Sequence, residues 1–252
     1  MFKTAFLILL LAHILGDFYF QSNKLAKQKS KSFQSALKHC IIYAVTCFLI
    51  AIPVYDTSIV IGFAFLAISH FLIDFSKYFY INKASKKNNF KPENERTVYI
   101  IDQLFHLITI AIIAYSLAAN NYIITVLPGV SSFFEIIGIP IEKAFSWLLV
   151  LLLIWKPTNI TIKILINLHK PQEKFEANDE EIKAGGFIGL LERLIILVLL
   201  SINQYSAIGL VLTAKSIARY DKISKDQTFA EYYLLGTLLS AIFVIITYLI
   251  IF

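Results

Sequence analysis

IVIGFAFLAISHFLIDFSKYFYI, the stretch Ile59–Ile81, decides the fold. It reaches the roughly 20 apolar residues a helix needs to cross a bilayer. Yet His70 and Asp74 lie inside it, four apart, which puts them on one helix face with about 6 Å of rise between them. An ionisable group in such a helix costs roughly 2.5–3.5 kcal/mol even on insertion-based scales. A buried polar site inside a membrane bundle accounts for both features.

The same pair recurs on either side. His13 and Asp17 interrupt the first apolar run, and Asp102 and His106 interrupt another at Val98–Ala118. His13-Ile-Leu-Gly-Asp17-Phe18 echoes His70-Phe-Leu-Ile-Asp74-Phe75 at His, Leu, Asp and Phe, a short internal similarity suggestive of a repeat.

Composition agrees with a membrane chain. The mean hydropathy is +0.70. Of the 252 residues 58% are hydrophobic and only 16% charged, against about 25% charged in soluble domains. We read an all-α, polytopic transmembrane bundle of about eight spans, near 4–20, 39–55, 59–81, 98–118, 144–166, 186–204, 205–220 and 229–252. It is read as a single membrane domain, 1–252, with the His/Asp pairs in a first half (1–118) and a second half at 119–252. The first run imitates a secretory signal, but His13, Gly16 and Asp17 break it and no small-x-small cleavage site follows, so it reads as a retained helix. Pro157 falls inside the fifth span and should kink or end it. Asn120–Pro140, with Pro128-Gly129 and Ser131-Ser132, reads as an outer-face loop able to dip into the bilayer. Cys40 and Cys47, about 10 Å apart along one helix, read as packing residues and not as a disulfide.

The net charge of +6 does not point to nucleic acid, because the lysines flank apolar spans. Lys24, Lys27, Lys29, Lys31 and Lys38 follow span one; Lys83, Lys86, Lys87, Lys91 and Arg96 follow span three. Lys170, Lys174 and Lys183 follow span five; Lys222 and Lys225 follow span seven. The alternate connections carry Asp56, Glu135 and Glu142, with Lys143 their one basic residue. By the positive-inside rule the basic connections are cytoplasmic and both termini are outside. Asp17, Asp74 and Asp102 then fall within about two turns of the cytoplasmic ends of their helices, with each histidine one turn deeper. The reversed order in the fourth span is what an oppositely directed helix needs to match that depth. Glu192, Arg193, Lys215, Arg219 and His39 lie at similar depth, and Gln21 and Gln103 flank the pairs.

His13-x-x-Gly16-Asp17-Phe18-x-x-Gln21, the basic segment ending at His39, and Asp102-Gln103-x-x-His106 resemble a bacterial inner-membrane family catalogued only as a domain of unknown function. The second half is similar to that family's longer members at Gly189-x-Leu191-Glu192-Arg193, Ala207-Ile208-Gly209, Ala214-Lys215-Ser216-x-x-Arg219 and Gly236-Thr237-x-x-Ser240. The resemblance implies a multi-pass protein of the bacterial inner (cytoplasmic) membrane and brings no established activity. A looser similarity, on intramembrane His/Asp pairs alone, is to inner-membrane proteins described as metal-dependent hydrolases.

Three readings of the pairs stay open. In the first, His13, Asp17, His70, Asp74, Asp102 and His106 hold a divalent metal ion, Zn, Mn or Fe, in an intramembrane hydrolytic site. Gln21, His39, Gln103 and Glu192 then support the ligands or contact substrate, while Arg193, Lys215 and Arg219 orient an anionic group; the alternative for these last residues is snorkelling and structural pairing. A lipid phosphate and a membrane-embedded peptide are the substrates within reach of such a site, and membrane lipids its neighbours. In the second, the same residues carry protons or a metal ion in a transporter or channel. In the third they are a hydrogen-bonded network fixing the packing of a scaffold or sensor. No phosphate loop, dinucleotide fingerprint, Cys-x-x-Cys or Gly-x-Ser-x-Gly element is present.

Overall fold

The computed structural model describes residues 1–54, 57–86, 92–122, 124–169 and 179–252, without the side chains of 92, 93 and 179–184. Asp56, Lys87, Lys91, Lys170 and Lys174, and the side chain of Lys183, therefore lie outside the described residues. What is described is helical, with no strand among the described residues and a single antiparallel bridge, Val54 with Val126.

Among the described residues eleven α-helices follow one another: α1 Phe2–Ile14, α2 Asn23–Gln28, α3 Phe33–Ala51, α4 Thr57–Lys86, α5 Pro92–Ala119, α6 Pro128–Ile136, α7 Ile141–Ile166, α8 Asp179–Ser201, α9 Tyr205–Ile217, α10 Tyr220–Lys225 and α11 Gln227–Ile251. Six segments among the described residues are long and apolar enough to cross a membrane: α1 with the turn that continues it, α3, α4, α5, α7 and α11. The chain is thus a multi-pass membrane protein by length and composition. The sixth span read from sequence falls on α8. The seventh falls on α9, whose 13 residues rise only about 20 Å against a hydrocarbon core of about 30 Å.

The distribution of side chains is that of a membrane bundle. Phe48, Phe65, Ile112 and Leu249 are exposed, whereas His13, His39, His70 and Arg193 are buried. Hydroxyls inside the helices bond back to their own turn, as Thr46 to the Ile42 carbonyl at 2.8 Å and Ser76 to that of Leu72 at 2.7 Å, so they bring no unmet donor into an apolar surround. Helix ends carry local signals. Ser22 accepts from Leu25 N at the start of α2 and Asp226 from Phe229 N at the start of α11, each meeting a donor that the first turn leaves open. Asn121, Gly138 and Asn203 take positive φ after α5, α6 and α8, the conformation that closes a helix C-terminus.

The chain divides into two compact units, Met1–Leu149 and Val150–Phe252. In the first, α1 contacts α3, α4 and α5, and α4 contacts both α3 and α5. Nearly every residue of α1 from Leu7 to Ile14 is buried, as expected of a helix apolar on all sides. In the second unit α8 packs against α9 and α11, and α10 against α11.

Helix α7 runs through Pro157 to Ile166 and does not end there. Proline has no N–H to give to the carbonyl of Leu153 four residues back. The Thr158 hydroxyl donates to that carbonyl at 2.7 Å, and Arg193 Nε donates to the neighbouring Ile154 carbonyl at 2.6 Å. Substitute donors of this kind let a membrane helix keep an internal proline.

Candidate functional site

The first unit brings the His/Asp pairs together. Between His13 and Gln21 the chain leaves α-helical geometry: Leu15–Tyr19 form a π-helical turn, closed by Phe20 N donating to the Leu15 carbonyl at 2.8 Å. Single π turns widen a helix and recur at functional sites. Here the turn carries Asp17, while Gln21 just beyond it donates back to the Asp17 carbonyl. Gly16 sits in the same turn because there is no room for more: a Cβ on it would lie 2.7 Å from Cδ2 of Tyr43.

Helix α3 faces this turn with a stripe of buried residues, His39, Tyr43 and Cys47 at four-residue spacing with Cys40 three before Tyr43, as one helix face demands. Tyr43 stacks on His70, ring centroids 3.5 Å apart, and its hydroxyl lies 3.2 Å from His13 Nδ1. The rings of His13 and His106 are 4.8 Å apart, and those of His70 and His106 4.7 Å. Three histidines from α1, α4 and α5 thus meet, two of them against one tyrosine from α3.

The carboxylates are held from another direction. Lys29, in the turn between α2 and α3, reaches Asp17 Oδ1 at 2.9 Å and Asp74 Oδ2 at 3.3 Å. His39 Nε2 lies 3.3 and 3.1 Å from the same two oxygens. Burial opposes the Lys29 ammonium, but Asp17, Asp74 and Asp102 outweigh it and hold its pKa above the usual lysine range. Lys77 donates to Asp102 Oδ2 at 2.8 Å. Gln103 spans the group, 3.2 Å from Asp17 Oδ2 and 3.3 Å from Asp102 Oδ2.

The sequence pairs are therefore not hydrogen-bonded pairs. Among the described residues only Asp102 and His106 bond within their helix, through His106 Nδ1–H donating to the Asp102 carbonyl at 2.8 Å. That bond leaves Nε2 of His106 as the lone-pair nitrogen. His106 Nε2, His13 Nε2, both ring nitrogens of His70, Asp74 Oδ1 and Asp102 Oδ1 are buried with no hydrogen-bond partner among the described residues. Candidate ligand atoms lie within 4.8 Å of one another in four sets: His13, His70 and His106; Asp17, His39 and His70; Cys40, His70 and Asp74; Asp74, Asp102 and His106. His70 belongs to three of them. Asp17, Asp74 and Asp102 thus face Lys29, Lys77 and His39 across the cluster.

A groove of about 610 Å³ between α4 and α5 reaches this cluster from the side, with Leu72, Lys77, Ile101, Asp102 and Phe105 among its lining. Asp102 thus belongs to both places: its Oδ2 accepts from Lys77, and one of its oxygens joins a candidate set with Asp74 and His106.

In the second unit Glu192, Arg193 and Lys215 form a cluster of their own. Lys215 bonds Glu192 and, at 3.2 Å, Thr237. Arg193 is 2% exposed and donates to Ile154, Asn159 and Ser240. Glu192 and Arg193 thus have separate partners, as their roughly 100° separation around the helix requires. Arg219 is exposed. Sequence reasoning passed over Cys40, Tyr43 and Lys77 as site residues and took Lys29 for a topology signal. Lys77, three residues past Asp74 on one helix, could have been found by its spacing. Lys29 carried no such mark.

Fold and cluster together define a polytopic helical membrane protein with a buried His/Asp constellation. The chain belongs to the family described as protein of unknown function (DUF3307), which matches residues 5–132 and so takes in every helix that supplies the cluster. No curated protein and no solved structure matches it.

Proposed function

We propose that the cluster binds a divalent metal ion and that the protein is a membrane-embedded, metal-dependent hydrolase. One observation carries the metal reading: buried ring nitrogens of His13, His70 and His106 converge with no hydrogen-bond partner among the described residues. A purely structural network satisfies such atoms, since an unpaired buried acceptor costs roughly 1–3 kcal/mol. Imidazole nitrogens with one carboxylate from Asp74 or Asp102 suit Zn, Mn or Fe. Such an ion supplies an activated water at neutral pH and polarises a phosphoryl or carbonyl oxygen.

The chain's own groups do the rest. Tyr43 fixes the planes of His70 and His13, and the Asp102 carbonyl fixes the tautomer of His106. Lys29 and His39 hold Asp17 and Asp74 apart from bulk charge, and Gln103 ties Asp17 to Asp102. By the loop charges this site opens toward the cytoplasmic leaflet of a bacterial inner membrane.

Elemental analysis of the purified wild-type chain beside Asp74→Asn and His70→Gln tests the reading. Near-stoichiometric metal in the wild type and a loss in both variants is expected; wild-type protein free of metal overturns it. A second reading, ion or proton transport, is favoured by Lys29 already compensating two of the three carboxylates. Flux into liposomes without hydrolytic turnover would select it.

A further inference from the structure

The α4–α5 groove changes character along its length. Toward one end its walls are Leu72, Ile101 and Phe105; toward the other they include Tyr80, Asn94 and Thr97. Lys77 lies between the two ends on α4, while Asp102 follows Ile101 on α5 at the apolar end, within reach of Lys77. From Phe105 to Asn94 the groove follows α5 for about 17 Å, roughly half of a 30 Å hydrocarbon core and hence the depth of one leaflet. Its volume falls within the roughly 300–1,000 Å³ of small-molecule sites. Leu72, Ile101 and Phe105 are themselves exposed, so the mouth opens on the apolar surface.

We propose that this groove binds a lipid phosphate, its hydrocarbon chain on the Leu72–Phe105 side and its phosphate at Lys77. Charge complementarity selects the occupant. An ammonium has three donors, and Asp102 accounts for the one hydrogen bond of Lys77 among the described residues, which leaves donors for an anion inside the groove. Lys83 continues the α4 face of Ser76 and Tyr80, at three- and four-residue spacing, and extends positive charge past the polar end. A peptide fits less well, because its backbone would bring a row of N–H and C=O groups into a wall that is apolar along half its length. Asp102 offers one carboxylate oxygen to a set with Asp74 and His106, so a phosphate at Lys77 lies beside the cluster. This rests on the proposed hydrolytic site for what the phosphate meets, not for the binding itself.

The test uses the full chain in a non-ionic detergent, read by native mass spectrometry. The probes are hexadecyl phosphate, hexadecanol, inorganic phosphate, geranylgeranyl phosphate, a diacyl phosphatidic acid and an apolar peptide. Hexadecyl phosphate should be retained at least about tenfold more tightly than either half-ligand. Either order between the isoprenoid and the diacyl phosphate supports the proposal and names the source. Ile101→Trp and, at the rim, Thr97→Trp fill the groove and should weaken hexadecyl phosphate by about tenfold or more with metal content unchanged. Lys77→Gln should abolish the preference for phosphate over alcohol. Equal retention of hexadecanol and hexadecyl phosphate, unchanged binding in both tryptophan variants, or preferential retention of an apolar peptide overturns the proposal. Lipid binding by a metal-free wild type would sink the hydrolytic reading and leave this one standing.

Discussion

Tyr43 lies flat on His70, the two ring planes 20° apart and their centroids 3.5 Å. The contact joins α3 to α4 at the residue that belongs to three of the four candidate ligand sets, and the same tyrosine reaches His13 through its hydroxyl. One aromatic side chain thereby orients two imidazoles.

Gly16→Ala should disturb both. The added methyl would lie 2.7 Å from Cδ2 of Tyr43, and forcing a methyl into a filled site costs typically 1–3 kcal/mol. Tyr43→Phe keeps the stacking and loses only the hydroxyl. Thermal melting with metal analysis should show Gly16→Ala losing both stability and metal, and Tyr43→Phe losing metal affinity with little change in melting. A Gly16→Ala protein indistinguishable from wild type would contradict the packing of this turn.

Lys29→Met strips the shared countercharge from Asp17 and Asp74. Breaking a buried ion pair from one side costs roughly 3–5 kcal/mol, so the variant should melt well below wild type. Added divalent metal should raise its melting temperature more than that of wild type, because an internal cation no longer competes for the carboxylates. The lysine's own titration should leave the effect unchanged across the neutral range. The lysine pKa is raised on folding, so its stabilisation is complete below the unfolded value near 10.4 and fades only as pH climbs through the higher folded one. A deficit that disappears within that neutral window would show that the pair is not ionised as described.

Thr158→Val should destabilise by about 1 kcal/mol, since it leaves the Leu153 carbonyl without the hydroxyl that serves it. In a Pro157→Ala background the restored N–H takes that carbonyl, and the same substitution should cost markedly less. Equal costs in both backgrounds would remove the hydroxyl from the account of how α7 continues.

Lys215→Met leaves Glu192 buried without its ion-pair partner and should cost roughly 3–5 kcal/mol. Replacing both partners, Glu192→Leu with Lys215→Met, should recover much of the loss, because no charge is then left stranded. A double variant less stable than Lys215→Met would assign Glu192 a further partner.

The apolar runs made the helices legible, since length and hydropathy alone define a span. The convergence of His13, His70 and His106 was legible as well, because pairs at one-turn spacing in oppositely directed helices imply a common level. Partnership was not. Spacing along α1 suggests that His13 faces Asp17, but the π turn redirects the carboxylate toward Lys29 and His39, and nothing in Leu15–Tyr19 distinguishes that turn from an ordinary α-helical one. The course of α7 past Pro157 depended on Arg193, 39 residues away from Ile154, a contact no local rule supplies. His39, Tyr43 and Cys47 do share a stripe at three- to four-residue spacing; reading the tyrosine with the histidine would have found it.

Lys29 has a bearing on how the chain is made. Asp17 is an unfavourable passenger for the first helix to carry into a bilayer, and its countercharge follows only 12 residues later. A loop of about ten residues closes in roughly 10–100 ns. Ribosomes add about 5–20 residues per second, so the 45 residues between Lys29 and Asp74 take seconds to synthesise. The first carboxylate can therefore be neutralised within a nascent hairpin long before the second has left the ribosome, and α4 arrives at a partner already in place.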